Sequence, residues 1–179
     1  PGGDGEKKIY VKFKDVIGNW SNAYSDTIKL DTTGPTGSIK INNGAGYTNT
    51  ISVLLNLSAT EAVQMSFSND GSVWTSAENY VATKVWTLMS GDGEKRVYVK
   101  YKDNIGNWRD SYLDAIILDT VPPNIIITSP KDNAVVESPV ITLSGTVDGV
   151  NFNEERTLTN EGENILTKQA TDLAGNTAS

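Results

Sequence analysis

The sequence contains no cysteine and no histidine among its 179 residues. Without cysteine, a disulfide framework and thiolate metal sites are excluded. Without imidazole, the chain lacks both the usual general base near neutral pH and the commonest metal ligand. It also has no glycine-rich phosphate loop and no paired carboxylates at a defined spacing. We therefore expect no active site in this chain and no cofactor, with calcium as the one metal to consider.

Long apolar runs and basic clusters are missing as well. No run approaches the roughly 18 residues of a membrane span. The net charge is −7, and lysine and arginine are scattered along the sequence instead of forming a basic stripe. We therefore expect neither membrane insertion nor a nucleic-acid partner. The sequence opens at Pro1 without a signal peptide, so we expect it to be a piece of a longer protein.

What the sequence does contain is a repeat. Residues 3–33 align with residues 91–121 at 20 of 31 positions without a gap, at an offset of 88 residues. A third, weaker copy at 161–176 keeps the spacing of one glycine, one aspartate and a Gly-Asn pair. The matched positions are Gly5, Asp15, Gly18 and Asn19, then Gly93, Asp103, Gly106 and Asn107, then Gly162, Asp172, Gly175 and Asn176. The period is too long for solenoid repeats of about 20 to 50 residues and suits sandwich modules of about 100.

Each full copy of the repeat predicts a strand, a tight turn and a second strand. Val97, Val99 and Tyr101 alternate with polar residues, which is typical of a half-buried strand. In the turn at 103–107, aspartate can accept backbone N–H bonds, and glycine or asparagine tolerates positive φ. The segment 112–118 alternates again.

Three modules follow from the repeat and from the proline-containing boundaries at 31–35 and 119–123. We predict the C-terminal hairpin of a truncated module at 1–33, a complete β-sandwich at 34–121 and a module lacking its last strand at 122–179. Several short strands with turn signals between them, and no helical periodicity, favour an all-β two-sheet fold.

Three local expectations accompany this prediction. Residues 63–67 are expected to pair with 72–75 across the Asp-Gly turn, because that dipeptide between apolar runs indicates a hairpin. Leu113 and Ile117 make the outward face of their strand apolar, so a loop of the same module or another chain is expected to cover it. Lys168 occupies a position where strand parity predicts a core residue.

Three stretches, MSFSNDGSVW (65–74), WTLMSGDGEKRVYVKYKDNIGNW (86–108) and LDTVPP (118–123), resemble the immunoglobulin-like and fibronectin-type-III-like tandem repeats of large bacterial secreted and surface proteins. The resemblance implies tandem immunoglobulin-like β-sandwich modules, the first and last incomplete. It also implies an extracellular or cell-surface location and roles as stalks, spacers, adhesive arms or accessory domains of secreted carbohydrate-active enzymes.

Acidic residues near the predicted module ends are candidate calcium ligands, because Ca²⁺ takes six to eight oxygen ligands. The candidates are Asp15, Asp31, Asp103 and Asp119. The alternative is that each turn aspartate caps its own backbone, since no EF-hand-like loop is present.

Aromatic residues repeat beside the turn and are candidate sugar-stacking side chains. They are Trp20, Tyr24, Trp108 and Tyr112. The alternative is that they cover sandwich ends and module junctions, as amphipathic aromatics commonly do.

The interpretation that these patterns favour is a set of non-catalytic spacer or stalk repeats of an extracellular bacterial protein. Its partners would be neighbouring modules of the same chain, and a cell-surface glycan or protein. An adhesive or carbohydrate-binding module, and an accessory domain beside an enzyme elsewhere in the parent protein, stay open as alternatives.

Overall fold

A computed structural model describes residues 3–179, in which strands predominate and the one helical segment is a 3-10 turn at Asn42–Gly44. The fold class predicted from the sequence, all-β, is confirmed. The strands are β1 Gly5–Val11, β2 Tyr24–Leu30, β3 Thr36–Ile41, β4 Tyr47–Thr48, β5 Ser52–Thr60, β6 Gln64–Ser68, β7 Glu78–Asn79, β8 Thr83–Thr87, β9 Gly93–Lys102, β10 Tyr112–Leu118, β11 Ile125–Ser129, β12 Val140–Val147, β13 Val150–Thr157, β14 Ala170–Thr171 and β15 Thr177–Ala178.

These strands form several sheets, which is consistent with a β-sandwich. One sheet has the order β4-β10-β9-β6-β7 and another the order β3-β5-β8. The hairpin β1-β2 and the pair β14-β15 are two-stranded, and β11-β12-β13 is a three-stranded antiparallel meander.

Backbone contacts group the chain into two compact units. The first consists of the segment ending at Ile39 together with Asn56–Lys84 and Tyr98–Leu113. Its core holds the side chains of Ile39, Leu57, Met65, Phe67, Val99 and Tyr101. The Tyr101 hydroxyl donates to the carbonyl of Ser38 at 2.7 Å, which ties β9 to β3 inside this unit. Burial, followed by the charges of two nearby tyrosines, raises the pKa of Tyr101, so this hydroxyl stays a donor.

The second unit consists of Lys40–Leu55, Val85–Val97 and Asp114–Ser179. Its buried side chains are those of Ile41, Val53, Leu55, Leu88, Val97, Ile116, Leu118 and Leu143. The carboxylate of Asp114 accepts the backbone N–H of Ile41 at 2.7 Å, which links β10 to β3 here. The alternation predicted along the repeated strands therefore places apolar side chains in the core, as expected.

The same alternation has a different outcome in the first copy of the repeat. Ile9 and Phe13 are more than 60% exposed, whereas Val97 and Tyr101 at the corresponding positions are fully buried. β1 and β2 form a two-stranded sheet of their own, in which most residues of β1 and all residues of β2 are exposed.

Two local predictions differ from the structure in part. The segment 72–75 is not a strand, but part of the predicted pairing is present. The backbone N–H of Thr75 donates to the carbonyl of Phe67 on β6 at 2.9 Å, and the Thr75 hydroxyl accepts the Phe67 N–H at 3.0 Å. The short strand that pairs with β6 is β7. The hydroxyl of Ser68 and the carboxylate of Asp70 instead accept the backbone N–H groups of the Asp-Gly turn and its neighbours. The expected loop over β10 is also absent from the described chain, since Leu113 is 54% exposed. A second chain over that face stays a prediction.

Lys168 points inward because a carboxylate there pairs with its ammonium. Its ammonium forms an ion pair with Glu154 on β13 and lies 5.0 Å from the ring centroid of Phe152. The hydrogen bond from Lys168 is the main cause that lowers the pKa of Glu154. The lysine therefore packs its aliphatic stem inside while its charge is compensated.

Gly37 provides a test of how closely the first unit is packed. A Cβ there would lie 2.5 Å from both the Ser58 carbonyl oxygen and the Tyr101 ring, and neither β5 nor the buried ring can move freely. We expect Gly37→Ala to lower the free energy of unfolding by about 1 to 3 kcal/mol, measured by urea denaturation.

The matched control is Gly46→Ala, because a Cβ at Gly46 meets nothing within 4 Å. It should leave stability unchanged or slightly raised. Equal stability of the two variants would contradict the close packing described here.

Candidate functional site

The three copies of the turn share one hydrogen-bond pattern, in which an aspartate carboxylate binds its own turn. In the second copy, Oδ1 of Asp103 accepts the backbone N–H groups of Ile105, Gly106 and Asn107 at 3.0, 2.7 and 2.8 Å. Its Oδ2 accepts the side-chain amide of Asn107 at 2.9 Å. Asp15 and Asp172 make the corresponding bonds to Asn19 and Asn176.

These bonds favour the ionised carboxylate in all three copies. Burial alone would raise the pKa of Asp103, but the backbone and side-chain donors of Asn107 and the N–H of Gly106 leave it below its ordinary value. The same balance lowers the pKa of Asp172, and the donors of Asn19 are the main cause of the lowered pKa of Asp15. Each turn is therefore organised around an anion that its own amides stabilise.

The asparagine that closes each turn also reaches the linker in two of the copies. The side-chain amide of Asn107 donates to the backbone carbonyl of Asp31 at 3.1 Å. The amide of Asn176 donates to the carbonyl of Asp119 at 2.8 Å. Asp31 and Asp119 are equivalent positions, 88 residues apart. In the first copy, the amide of Asn19 donates only to Asp15 among residues 3–179.

The threonine after each linker aspartate is bonded by the preceding copy of the repeat. Oδ1 of Asp4 accepts the backbone N–H of Thr32 at 2.9 Å and its hydroxyl at 2.7 Å. Oδ1 of Asp92 accepts the same two groups of Thr120 at 3.1 and 2.9 Å. Asp4 and Asp92 precede the first strand of the repeat, whereas the asparagines belong to the following copy of the turn. In each linker, the aspartate is bonded by the following copy of the repeat and the next threonine by the preceding copy. We call this arrangement the linker joint.

The first linker joint is also closely packed. A Cβ on Gly34 would lie 2.5 Å from the backbone nitrogen of Arg109 and from the carbonyl carbon of Trp108. Only glycine therefore allows the linker backbone to approach the residues after the turn this closely.

The four calcium candidates lie in these turns and linkers. The carboxylates of Asp15 and Asp103 accept the turn bonds described above, and those of Asp31 and Asp119 accept the N–H two residues ahead, at 3.1 Å each. Within residues 3–179, no three acidic side chains are grouped closely enough to hold a metal ion. Calcium binding stays a prediction, and a rise in melting temperature with calcium would be its test.

The four aromatic candidates do not form one surface. Tyr112 packs against Tyr101, with 5.8 Å between ring centroids, and Tyr24 lies 6.0 Å from Phe13. Trp20 and Trp108 each follow the turn and lie near a lysine, Lys14 and Lys102 respectively, at 5.6 and 5.8 Å. Sugar stacking by these residues stays a prediction, and Trp108 lines a concave surface.

That concave surface is an open groove of about 430 Å³ in the first unit. We call it the tryptophan groove. Its lining residues are Ser66, Trp74, Lys100, Trp108, Arg109 and Asp110. The ammonium of Lys100 lies 4.0 Å from the ring centroid of Trp74.

Sequence reasoning missed the role of the turn asparagines. It expected glycine or asparagine to supply positive φ, but only the glycines Gly18, Gly106 and Gly175 have it in these turns. The asparagine recurs for its side chain, which bridges the turn aspartate and the linker. Its fixed position directly after the glycine, together with the repeated linker aspartate, was the available signal.

Comparisons with known proteins assign no family. No protein-family model matches the chain, and a search of curated proteins returned no match. Among the described residues, no helix has the length and apolar character needed to cross a membrane.

The turn aspartate gives a pH prediction. Because the folded-state pKa of Asp103 is lowered, its contribution to stability is present above the ordinary value of 3.8 and is lost as the pH falls through the lowered value. Asp103→Asn places an amide donor opposite the Asn107 amide, so we expect a lower melting temperature at neutral pH. The loss of stability below about pH 4 should also become shallower.

Melting temperatures measured from about pH 7 to about pH 2 would check this expectation. Asp110→Asn is the control, because that carboxylate lines the open groove and makes no turn bonds. If wild type and Asp103→Asn lost stability in parallel over the acid range, the carboxylate would not have the proposed role.

Proposed function

We propose that this chain is a run of non-catalytic, immunoglobulin-like β-sandwich modules that act as spacer or stalk repeats in an extracellular bacterial multidomain protein. The observation that carries the proposal is the linker joint. A tether that only connects two domains needs no side-chain bonds to its backbone, and flexible linkers usually lack them. Here the same bonds occur at two linkers of the repeat.

The pattern of the joint fits spacing better than ligand binding. Its donors and acceptors bond to each other within the protein, so they are not displayed to a partner molecule. Each joint uses an aspartate and an asparagine from the repeat copies before and after the linker, which makes the arrangement extendable along a tandem array. The partners of such a module are its neighbours in the same chain.

A specific observation also favours the adhesive or carbohydrate-binding alternative. The tryptophan groove places two indoles and two cationic side chains around one concavity. This surface is separate from the linker bonds, so spacing and binding are compatible in one module. An accessory role beside an enzyme elsewhere in the parent protein would use the same spacing property.

The linker joint is testable through Asn107→Ala. The variant removes one hydrogen bond to the linker, worth about 1 kcal/mol, which raises the released fraction of the linker about fivefold. We expect the backbone order parameters of Thr32 and Thr33, measured by ¹⁵N relaxation, to fall below the value of about 0.85 for rigid backbone. Spin labels on Lys8→Cys and Asn79→Cys should give a narrow distance distribution that broadens in the variant.

Asn19→Ala is the matched control. It removes the equivalent bond to a turn aspartate, but Asn19 contacts no linker within the described residues. The control should therefore leave Thr32 and Thr33 as ordered as in the wild type. A broad distance distribution in the wild type itself would overturn the spacer proposal, because a spacer must hold its separation.

A further inference from the structure

Two cations of the tryptophan groove, Lys100 and Arg109, form no ion pair within residues 3–179. Within residues 3–179, Lys100 forms no ion pair and no side-chain hydrogen bond, and its ammonium contacts the Trp74 ring. Arg109 uses its backbone N–H to bond the Tyr101 carbonyl at 3.2 Å, and its guanidinium is in no ion pair. The groove therefore has two positive side chains outside any ion pair and one carboxylate, Asp110, in a chain of net charge −7.

The positions of these groups favour an anion with an apolar face. Trp108 is 41% exposed, so part of its indole is available to a ligand. The volume of about 430 Å³ falls in the range of about 300 to 1,000 Å³ for small-molecule sites. Lysine and arginine bind carboxylates by charge-assisted bonds, and an indole face packs against the C–H groups of a sugar ring.

The first copy of the repeat lacks this combination. It keeps Lys12, Lys14 and Trp20 at the positions of Lys100, Lys102 and Trp108. It replaces Arg109 and Asp110 by Ser21 and Asn22. Two of the three charged residues of the groove thus differ between copies that are identical at 20 of 31 positions.

We propose that the tryptophan groove binds a carboxylate-bearing sugar, such as a hexuronate unit of an acidic polysaccharide. The pyranose ring packs on the exposed indole of Trp108, and its carboxylate is bound by Lys100 and Arg109. Trp74 holds the Lys100 ammonium at the groove through the 4.0 Å contact. Asp110 at the rim accepts a sugar hydroxyl. The proposal does not rest on the spacer role.

The test uses a galacturonic acid trisaccharide and its fully methyl-esterified counterpart, which has the same rings without the charges. Binding is followed by ¹H–¹⁵N spectra of the whole chain. We expect the acid to shift the indole N–H of Trp108 and the backbone amides around Lys100 and Arg109 with a dissociation constant of about 1 mM or tighter. The ester should bind at least about tenfold more weakly, since a charge-assisted bond is worth about 1.5 to 3 kcal/mol.

Single substitutions then identify the side chains that bind the sugar. Lys100→Gln and Trp108→Ala should each weaken binding of the acid about tenfold or more, and circular dichroism and melting curves check that both variants fold. If Trp108→Ala is poorly folded, Arg109→Ser, which introduces the residue of the first copy, takes its place with the same expected weakening. Trp20→Ala is the matched control and should bind as the wild type does.

Three results would overturn the proposal. One is the absence of groove shifts at about 10 mM trisaccharide, which is weaker than a specific site needs. Another is equal affinity for the acid and its ester, which would remove the role of the two cations. The third is tighter binding of an oligoglutamate peptide than of the trisaccharide, which would assign the groove to an acidic peptide instead of a sugar.

Discussion

The side-chain amide of the turn asparagine is the group on which the repeated architecture depends. Asn107 donates to the carboxylate of Asp103 and to the backbone carbonyl of Asp31, so one amide joins a turn to a linker. This works only if the turn holds the amide in place beforehand. The carboxylate does so, because its other oxygen is fixed by three backbone N–H groups. An ionised, capped aspartate is therefore the precondition for an ordered linker.

The sequence predicts the individual strands and turns of this arrangement better than the long-range contacts between them. Alternation in β9 identifies Val97, Val99 and Tyr101 as core residues, because period-2 burial is a local property of a strand. The turn at 103–107 is equally local, because its aspartate bonds residues at most four positions ahead. By contrast, the bond from Asn107 to Asp31 spans 76 residues, and the contact of Trp74 with Lys100 depends on how a loop crosses a sheet. No periodicity encodes such contacts.

The departures from the hairpin and parity predictions both come from bonds made by polar side chains. The Asp-Gly turn after β6 indicates a hairpin when backbone bonds dominate, but Ser68 and Asp70 supply side-chain acceptors for the turn's N–H groups. With those groups satisfied by side chains, the segment after the turn bonds β6 through Thr75 without forming a regular strand. Lys168 lies in no strand of the described chain, and it points inward because its partner, Glu154, lies on β13.

The turn also connects the linker joint to the tryptophan groove. Asn107 bonds the linker, and the next two residues along the chain, Trp108 and Arg109, line the groove. The backbone N–H of Arg109 donates to Tyr101, while Gly34 of the linker approaches that same nitrogen too closely for a Cβ. The linker therefore packs against the backbone that carries two groove residues.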